Sequence, residues 1–329
     1  MATYKEIHGT NIEVVSSDPS NPVEGQLWYN TSTNKVKGFI INAGSWATGG
    51  SLNTARNRMG GAGTQTAALV FSGGPGFTQV KTESYNGTSW TEVNNIGSAR
   101  YGLGGAGTQT SALAFGGFGN APYAQKTTTD KWNGTNWTVV NPMNLGRLYA
   151  GGTGQSNTAA LVFGGDGGAT GTTNKTEKWN GTNWTEVNVM NTTRVHISGA
   201  GTSTSALAFG GGPGIPVPEK ASTESWNGTN WTTVNSLGTA RYGMGGSGLN
   251  NTSALAFGGT QDPPQLGLTE SWNGSNWTAV GDLSTPRFDP GSGGNSPATT
   301  AWAAGGRNPT TAVTEEFSSG PAIVSFAAS

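Results

Sequence analysis

Thr176–Val187 reads TEKWNGTNWTEV, two Trp residues five positions apart with an Asn-Gly pair between them. The pattern predicts a β-hairpin. Lys178, Trp179 and Asn180 end one strand, Gly181 and Thr182 help form the turn, and Trp184, Thr185 and Val187 open the next. Asn-Gly is the strongest short hairpin signal because both residues tolerate positive φ. The same text recurs as TTDKWNGTNWTVV at Thr128–Val140, TESWNGTNWTTV at Thr223–Val234 and TESWNGSNWTAV at Thr269–Val280, with a looser copy, TESYNGTSWTEV, at Thr82–Val93. The first Trp steps from 132 to 179 to 226 to 272, intervals of 47, 47 and 46. Self-similarity at such a period predicts a repeat array.

Around the hairpin the rest of the repeat falls into order. A small-residue run such as Gly104-Gly105-Ala106-Gly107 (strand a) precedes an apolar run such as Ala112-Leu113-Ala114-Phe115 (strand b), which ends in Gly116-Gly117. The Thr-Glu-x-Trp segment is strand c and the Asn-Trp-Thr-x-Val segment strand d. Four short strands in about 47 residues is the size of a propeller blade. Small residues suit an innermost strand, where blades crowd together, and the Trp residues fall on the roomier outer strands. Strand c is centred on Tyr85, Trp132, Trp179, Trp226, Trp272 and Phe317, and strand d on Trp46, Trp90, Trp137, Trp184, Trp231 and Trp277. The first d precedes the first a, and the last c lacks a d. The expected fold is therefore an all-β, six-bladed β-propeller of four-stranded blades, closed by pairing Ser45–Thr48 beside Thr314–Phe317. Closure of this kind removes two exposed sheet edges. The expected division is a short N-terminal β arm, residues 1–43, and a propeller, residues 44–329. In the arm, Ile12–Val15 reads as a strand and Leu27-Trp28-Tyr29 as a hairpin with Val36-Lys37-Gly38-Phe39.

Composition agrees with a regular, weakly charged array. Charged residues are 11% against a usual figure of roughly 25%, and the 55 Gly are more than double the usual share of about 7%. Twelve Trp argue against disorder. A net charge of −1 offers no electrostatic footprint for nucleic acid or an anionic membrane. Cysteine is absent, which excludes disulfides and thiolate metal sites. No apolar run approaches a membrane span, and Met1–Asn30 lacks a basic start followed by an apolar core, so no simple signal peptide is expected.

Candidate chemistry is sparse. His8 and His196 are the two histidines, far apart in sequence, and both read as surface or locally hydrogen-bonded residues. A carboxylate recurs in strand c (Glu83, Asp130, Glu177, Glu224, Glu270, Glu315) and an Arg before strand a (Arg56, Arg100, Arg147, Arg194, Arg241, Arg287). A feature present in every unit reads as a structural ion pair of the blade rather than as a metal or acid site. The Gly-rich runs are not phosphate loops, since neither Gly-Lys-Ser/Thr nor a helix follows. Sequons such as Asn133-Gly134-Thr135 read as turns. No catalytic residue, metal or cofactor is expected, and the chain is not expected to be an enzyme. What varies between units is the b–c loops, among them Phe118–Lys126 and Gly212–Ala221. Their expected recognition anchors are Phe77, Phe118, Tyr123, Ile215 and Pro264. Variable loops on a rigid scaffold are where binding usually sits.

The strand ending in Gly-Gly, the aromatic some ten residues on, the Trp after it and the Arg before the next unit resemble the kelch repeat, from Gly44 to about Phe317. The chain departs from kelch in having Leu in strand b and Trp-Asn-Gly in strand c. Some kelch-type propellers are oxidases needing copper-binding Tyr, His and Cys, a branch that two His and no Cys nearly close. Separately, IEVVSSDPSNPVEGQLWYNTSTNKVKGF, at 12–39, resembles N-terminal segments of tail-fibre-like proteins of marine bacteriophages. That resemblance implies a non-enzymatic virion structural or recognition protein, assembled in the cytoplasm of a bacterial host. Its arm would meet other virion proteins, its propeller would meet a host surface glycan or protein, and copies of the chain could associate with one another. The alternative is a secreted or surface carbohydrate-binding, lectin-like bacterial propeller. Neither reading involves nucleic acid or a membrane.

Overall fold

The computed structural model describes residues 12–75, 79–119, 124–212, 219–261, 263–307 and 309–326. The chain forms two compact units: Ser45–Ser318, and Met1–Gly44 together with Ser319–Ser329. A division at 43/44 alone leaves Ser319–Ser329 with the propeller; in the structure these residues belong to the N-terminal unit.

Ser45–Ser318 is a β-propeller. Among the described residues, five antiparallel sheets of four strands follow one another in the order a-b-c-d. The first contains Gly60–Thr64, Ala67–Phe71, Thr82–Tyr85 and Trp90–Val93. The sheet that closes the ring takes strands from both ends of the chain. Trp302–Ala304 is its strand b, the start of Thr314–Phe326 its c, and the end of Lys35–Thr48 its d. Its strand a is reduced to one bridge, Gly291 to Ala304, although the sequence repeats the small-residue run there. Pro290 and Pro297 bracket the segment, and neither has an N–H to give a ladder.

Each blade is joined to the one before it by its outer Trp. The indole Nε1 of Trp184 donates to Thr129 Oγ1 at 2.9 Å, and the ring packs edge-on against Phe115 at 5.1 Å between centroids. Trp137 repeats this with Thr82 and Phe71, Trp231 with Thr176 and Phe163, and Trp277 with Thr223 and Phe209. Trp46 bonds Thr269 at 2.9 Å and Trp90 bonds Thr314 at 2.9 Å, so contacts between residues more than 220 apart in sequence complete the same series. Burying these indoles with their N–H satisfied suits an aromatic residue with one polar atom.

The hairpin forms with Trp179 directly opposite Trp184, but its turn differs from the simplest Asn-Gly reading. Four residues bridge the strands, and of the Asn-Gly pair Gly181 alone has positive φ, +96°. Asn180 acts through its side chain: Oδ1 accepts from the amides of Thr182 at 3.0 Å and Asn183 at 2.8 Å. An Asx turn therefore replaces the expected left-handed pair.

The recurrent carboxylates and arginines pair within each blade: Arg56–Glu83 at 2.6 Å, Arg100–Asp130 at 2.5 Å, Arg194–Glu224 at 2.9 Å and Arg241–Glu270 at 2.5 Å, with Arg147–Glu177 and Arg287–Glu315 likewise joined. All are buried. They tie the d–a connection to strand c.

In the N-terminal unit, Glu13–Val15 pairs parallel with Leu27–Asn30, which pairs antiparallel with the start of Lys35–Thr48, Leu27 opposite Gly38. Trp28 is fully buried and donates Nε1 to Asp18 at 3.0 Å; Lys37 and Asn30 also donate to this carboxylate, at 2.8 and 2.7 Å. These bonds, that of Lys37 above all, hold the Asp18 pKa down to about 2. Their contribution is complete above the ordinary carboxylate range and is lost as the pH falls through about 2. An NMR pH titration should show the Trp28 indole proton shifting with a midpoint near 2; a midpoint near the unperturbed 3.8 would contradict the network.

Candidate functional site

The repeat has one position whose chemistry changes completely from blade to blade: the second residue after the buried Arg. In order it is Arg58, Gly102, Tyr149, His196, Gly243 and Asp289. All six have left-handed backbone, with φ of +55°, +62°, +53°, +52°, +64° and +53°. Their backbones join around the propeller axis. Gly102 N donates to Arg58 O at 2.9 Å, Tyr149 N to Gly102 O at 2.9 Å, Gly243 N to His196 O at 3.2 Å, Asp289 N to Gly243 O at 2.7 Å and Arg58 N to Asp289 O at 3.0 Å. Glycine adopts this conformation freely, whereas other residues are strained there by about 1–3 kcal/mol each. Four blades carry a side chain at this costly position, and such strain clusters at functional sites.

Those four side chains converge. The Tyr149 and His196 rings stack with centroids 3.5 Å apart, and Tyr242 meets His196 edge-on at 5.2 Å. The Arg58 guanidinium lies over Tyr101 at 4.9 Å and over Tyr149 at 5.6 Å. Asp289 sits between Arg58, Arg307 and His196: its Oδ2 is 3.5 Å from Arg58 Nε and 3.5 Å from Arg307 Nη1, and its Oδ1 is 3.6 Å from His196 Nδ1. Each distance exceeds the 2.7–3.2 Å of an N–H···O bond. Arg58 Nε, His196 Nδ1 and Asp289 Oδ2 are accordingly buried without a hydrogen-bond partner. Burial pushes the Asp289 carboxyl up, but His196, Arg58 and Arg307 together hold it below its ordinary value. Burial, reinforced by the Asp289 charge, pushes the Tyr149 hydroxyl well above its ordinary value. The socket these residues line has a volume of about 110 Å³. Beneath it an apolar collar that includes Met59, Leu103, Ile197 and Met244 leads to a second cavity of about 120 Å³ walled by strand a glycines.

The socket opens at the end of the propeller that carries the b–c loops. The residue preceding each left-handed position pairs with the start of a b–c loop: Asn57 with Gly74, Leu148 with Asp166, Val195 with Gly212, Tyr242 with Thr260 and Phe288 with Arg307. In the second blade this is a short ladder, Tyr101 opposite Phe118. Of the expected anchors, Phe118 thus lies half-buried on the rim, its ring 5.8 Å from the Tyr101 ring that supports Arg58. Pro264 is exposed, and its carbonyl accepts from Gln261 N and Thr260 Oγ1, both at 3.1 Å. Phe77, Tyr123, Ile215 and His8 lie outside the described residues.

His196 corrects the sequence reading. It is not a surface residue; it is buried, stacked on Tyr149, with Nδ1 facing Asp289 Oδ1 at 3.6 Å. Stacking the repeats in register exposes the signal, since the position after Arg-x is glycine in two units and a large polar residue in four. Among the described residues no three His, Asp or Glu side chains cluster as metal ligands.

Sheets of four antiparallel strands ringed about an axis, with a socket at one mouth, define the chain as a β-propeller. Among solved structures that match, the structure of YjhT aligns with a TM-score of 0.65 over 81% of this chain and 95% of its own, at 14% identity. At that identity the likeness concerns the fold alone. No family model and no curated protein matches the chain.

Proposed function

We propose that the chain is a non-enzymatic recognition protein of a virion, a tail-fibre-like or other surface appendage. Its propeller presents the b–c loop face to a host surface, and its N-terminal unit attaches to other virion proteins. The observation that carries the recognition half is the retention of Arg58, Tyr149, His196 and Asp289 at strained backbone positions on the loop face. The held-down Asp289 and the pushed-up Tyr149 each keep one charge state around neutrality. A fixed set of donors and acceptors suits binding, whereas a general acid or base works best near the ambient pH.

Two features support the attachment half. The segment GQLWYN, at 25–30, matches the run that in tail-fibre-like phage proteins introduces a virion-attached domain. Exposed large apolar side chains also concentrate in this unit: Ile12, Val14, Val23, Ile40, Ile323 and Phe326. Exposed apolar patches commonly mark protein contacts. We further assign the repeat to the kelch type, supported by the Gly-Gly after strand b and the buried Arg before strand a.

Mass spectrometry of purified particles should find the chain as a stoichiometric component; its presence only in secreted bacterial protein would favour the lectin-like alternative. Replacing Phe118–Lys126 by a short Gly-Ser turn should leave the fold intact and weaken adsorption to the host. Unchanged adsorption, with the same result at the other b–c loops, would make the propeller a building block instead.

A further inference from the structure

We propose that the axial socket formed by Arg58, Tyr149, His196 and Asp289 binds a neutral saccharide, taking a pair of its hydroxyl groups between Asp289 Oδ2, Arg58 Nε and His196 Nδ1. The inference rests on the recognition reading above and names the chemistry of its ligand.

The unsatisfied atoms select the ligand. Asp289 Oδ2 only accepts, Arg58 Nε only donates, and His196 Nδ1 does either according to its tautomer. All three are buried without a hydrogen-bond partner, meeting their neighbours only as ion pairs at 3.5–3.6 Å, and the side chains of His196 and Asp289 are 6% and 5% exposed. Such atoms cost free energy until something satisfies them. A hydroxyl meets both requirements at once: it donates to Asp289 Oδ2 while accepting from Arg58 Nε. A second hydroxyl on the adjacent carbon can exchange a bond with His196 Nδ1.

Other chemistries fit less well. An anion would accept from Arg58 but face the Asp289 carboxylate. A cation would find Asp289 but also Arg58 and Arg307, both within 3.5 Å of its Oδ2. An apolar group would leave all three atoms unpaired. Space agrees: on the measure by which one water needs about 10–15 Å³, the socket of about 110 Å³ has room for several water-sized groups, enough for two hydroxyls and their carbons.

The test uses the purified full chain and ligand-observed saturation-transfer NMR. The probes are the methyl glycosides of glucose, galactose, mannose and N-acetylglucosamine, with glucuronate and inorganic phosphate as anionic comparators. At least one glycoside should bind. Asp289→Asn should weaken it about 10- to 100-fold, the range for losing a hydrogen bond to a charged group, and His196→Asn about 2- to 10-fold, the range for a neutral one. Asn tolerates left-handed backbone, so His196→Asn should keep the parent melting temperature, whereas Asp289→Asn also removes the buried counter-charge of Arg58 and Arg307 and should melt lower. Should Asp289→Asn fail to fold, His196→Asn decides. Binding of the anions alone, or of no probe, overturns the proposal, the latter leaving water as the occupant. A glycoside that binds both variants as well as the parent also overturns it. If the glycosides fail while particles contain the chain and the loop replacement weakens adsorption, the recognition reading stands and the socket chemistry alone is lost.

Discussion

Glu177→Ala should destabilise the propeller by about 3–5 kcal/mol, the cost of leaving a buried charge without its partner. Arg147 and Glu177 are both almost completely buried and bonded to each other. The Arg147 Nη1 also donates to the carbonyl of Lys175 at 2.8 Å, and Glu177 Oε2 accepts from the amide and side chain of Asn144, each at 2.8 Å. Burial pulls the guanidinium pKa down, and the Glu177 charge offsets much of that pull. Truncation removes the offset, leaves a cation without its counter-charge, and takes from Asn144 N, Asn144 Nδ2 and Leu145 N their acceptor on Glu177. Glu177→Gln keeps an acceptor and the side-chain shape, and should cost clearly less. Urea unfolding of the two variants against the parent measures the difference. Equal costs would show that the lost charge accounts for the whole effect and the retained acceptor for none of it, and an Ala variant within 1 kcal/mol of the parent would contradict a buried pair.

Deleting Met1–Thr48 should lower stability by more than any loss confined to the N-terminal segment, because the closing sheet loses its outer strand. Trp46 on that strand bonds Thr269 in the preceding blade and packs against Phe257 and Phe317, at 4.9 and 5.3 Å between centroids. Its removal alone, as Trp46→Ala, should cost about 3–5 kcal/mol. The deletion also strips the neighbouring strand from the start of Thr314–Phe326 and opens an edge on which chains can associate. Thermal unfolding should therefore place the deletion variant at or below Trp46→Ala and well below the parent, with concentration-dependent aggregation. A deletion variant as heat-stable as the parent would show that the two ends of the chain do not close the ring.

Much of this architecture is local and periodic, and so was legible in the chain itself. Strand order follows from the repeated apolar and small-residue runs, and Trp179 opposite Trp184 follows from their spacing around Asn180-Gly181. Pairing of each repeated Arg with a repeated carboxylate, and packing of the outer Trp residues between blades, follow because a feature present in every unit serves every unit. The pairing of Ser45–Thr48 beside Thr314 follows from a missing d at one end and a surplus d at the other. Local detail was less determined: Asn180 caps the turn with its side chain because four residues, not two, bridge the strands. The reduced strand a near Gly291 depends on Pro290 and Pro297, whose effect shows only against the neighbouring ladder.

The socket belongs to the tertiary structure. Arg58, Tyr149, His196 and Asp289 are spread over more than 230 positions, and no two of them fall within one turn or strand. Each looks unremarkable in its own blade. Ring closure brings one backbone position of every blade to the axis, and the left-handed φ there aims whatever side chain it carries into a shared space. The sequence determined the blade, because a blade is made of contacts between neighbours along the chain. The site could be decided only by the ring, because its residues share a position in the repeat but meet only where the ring places them together.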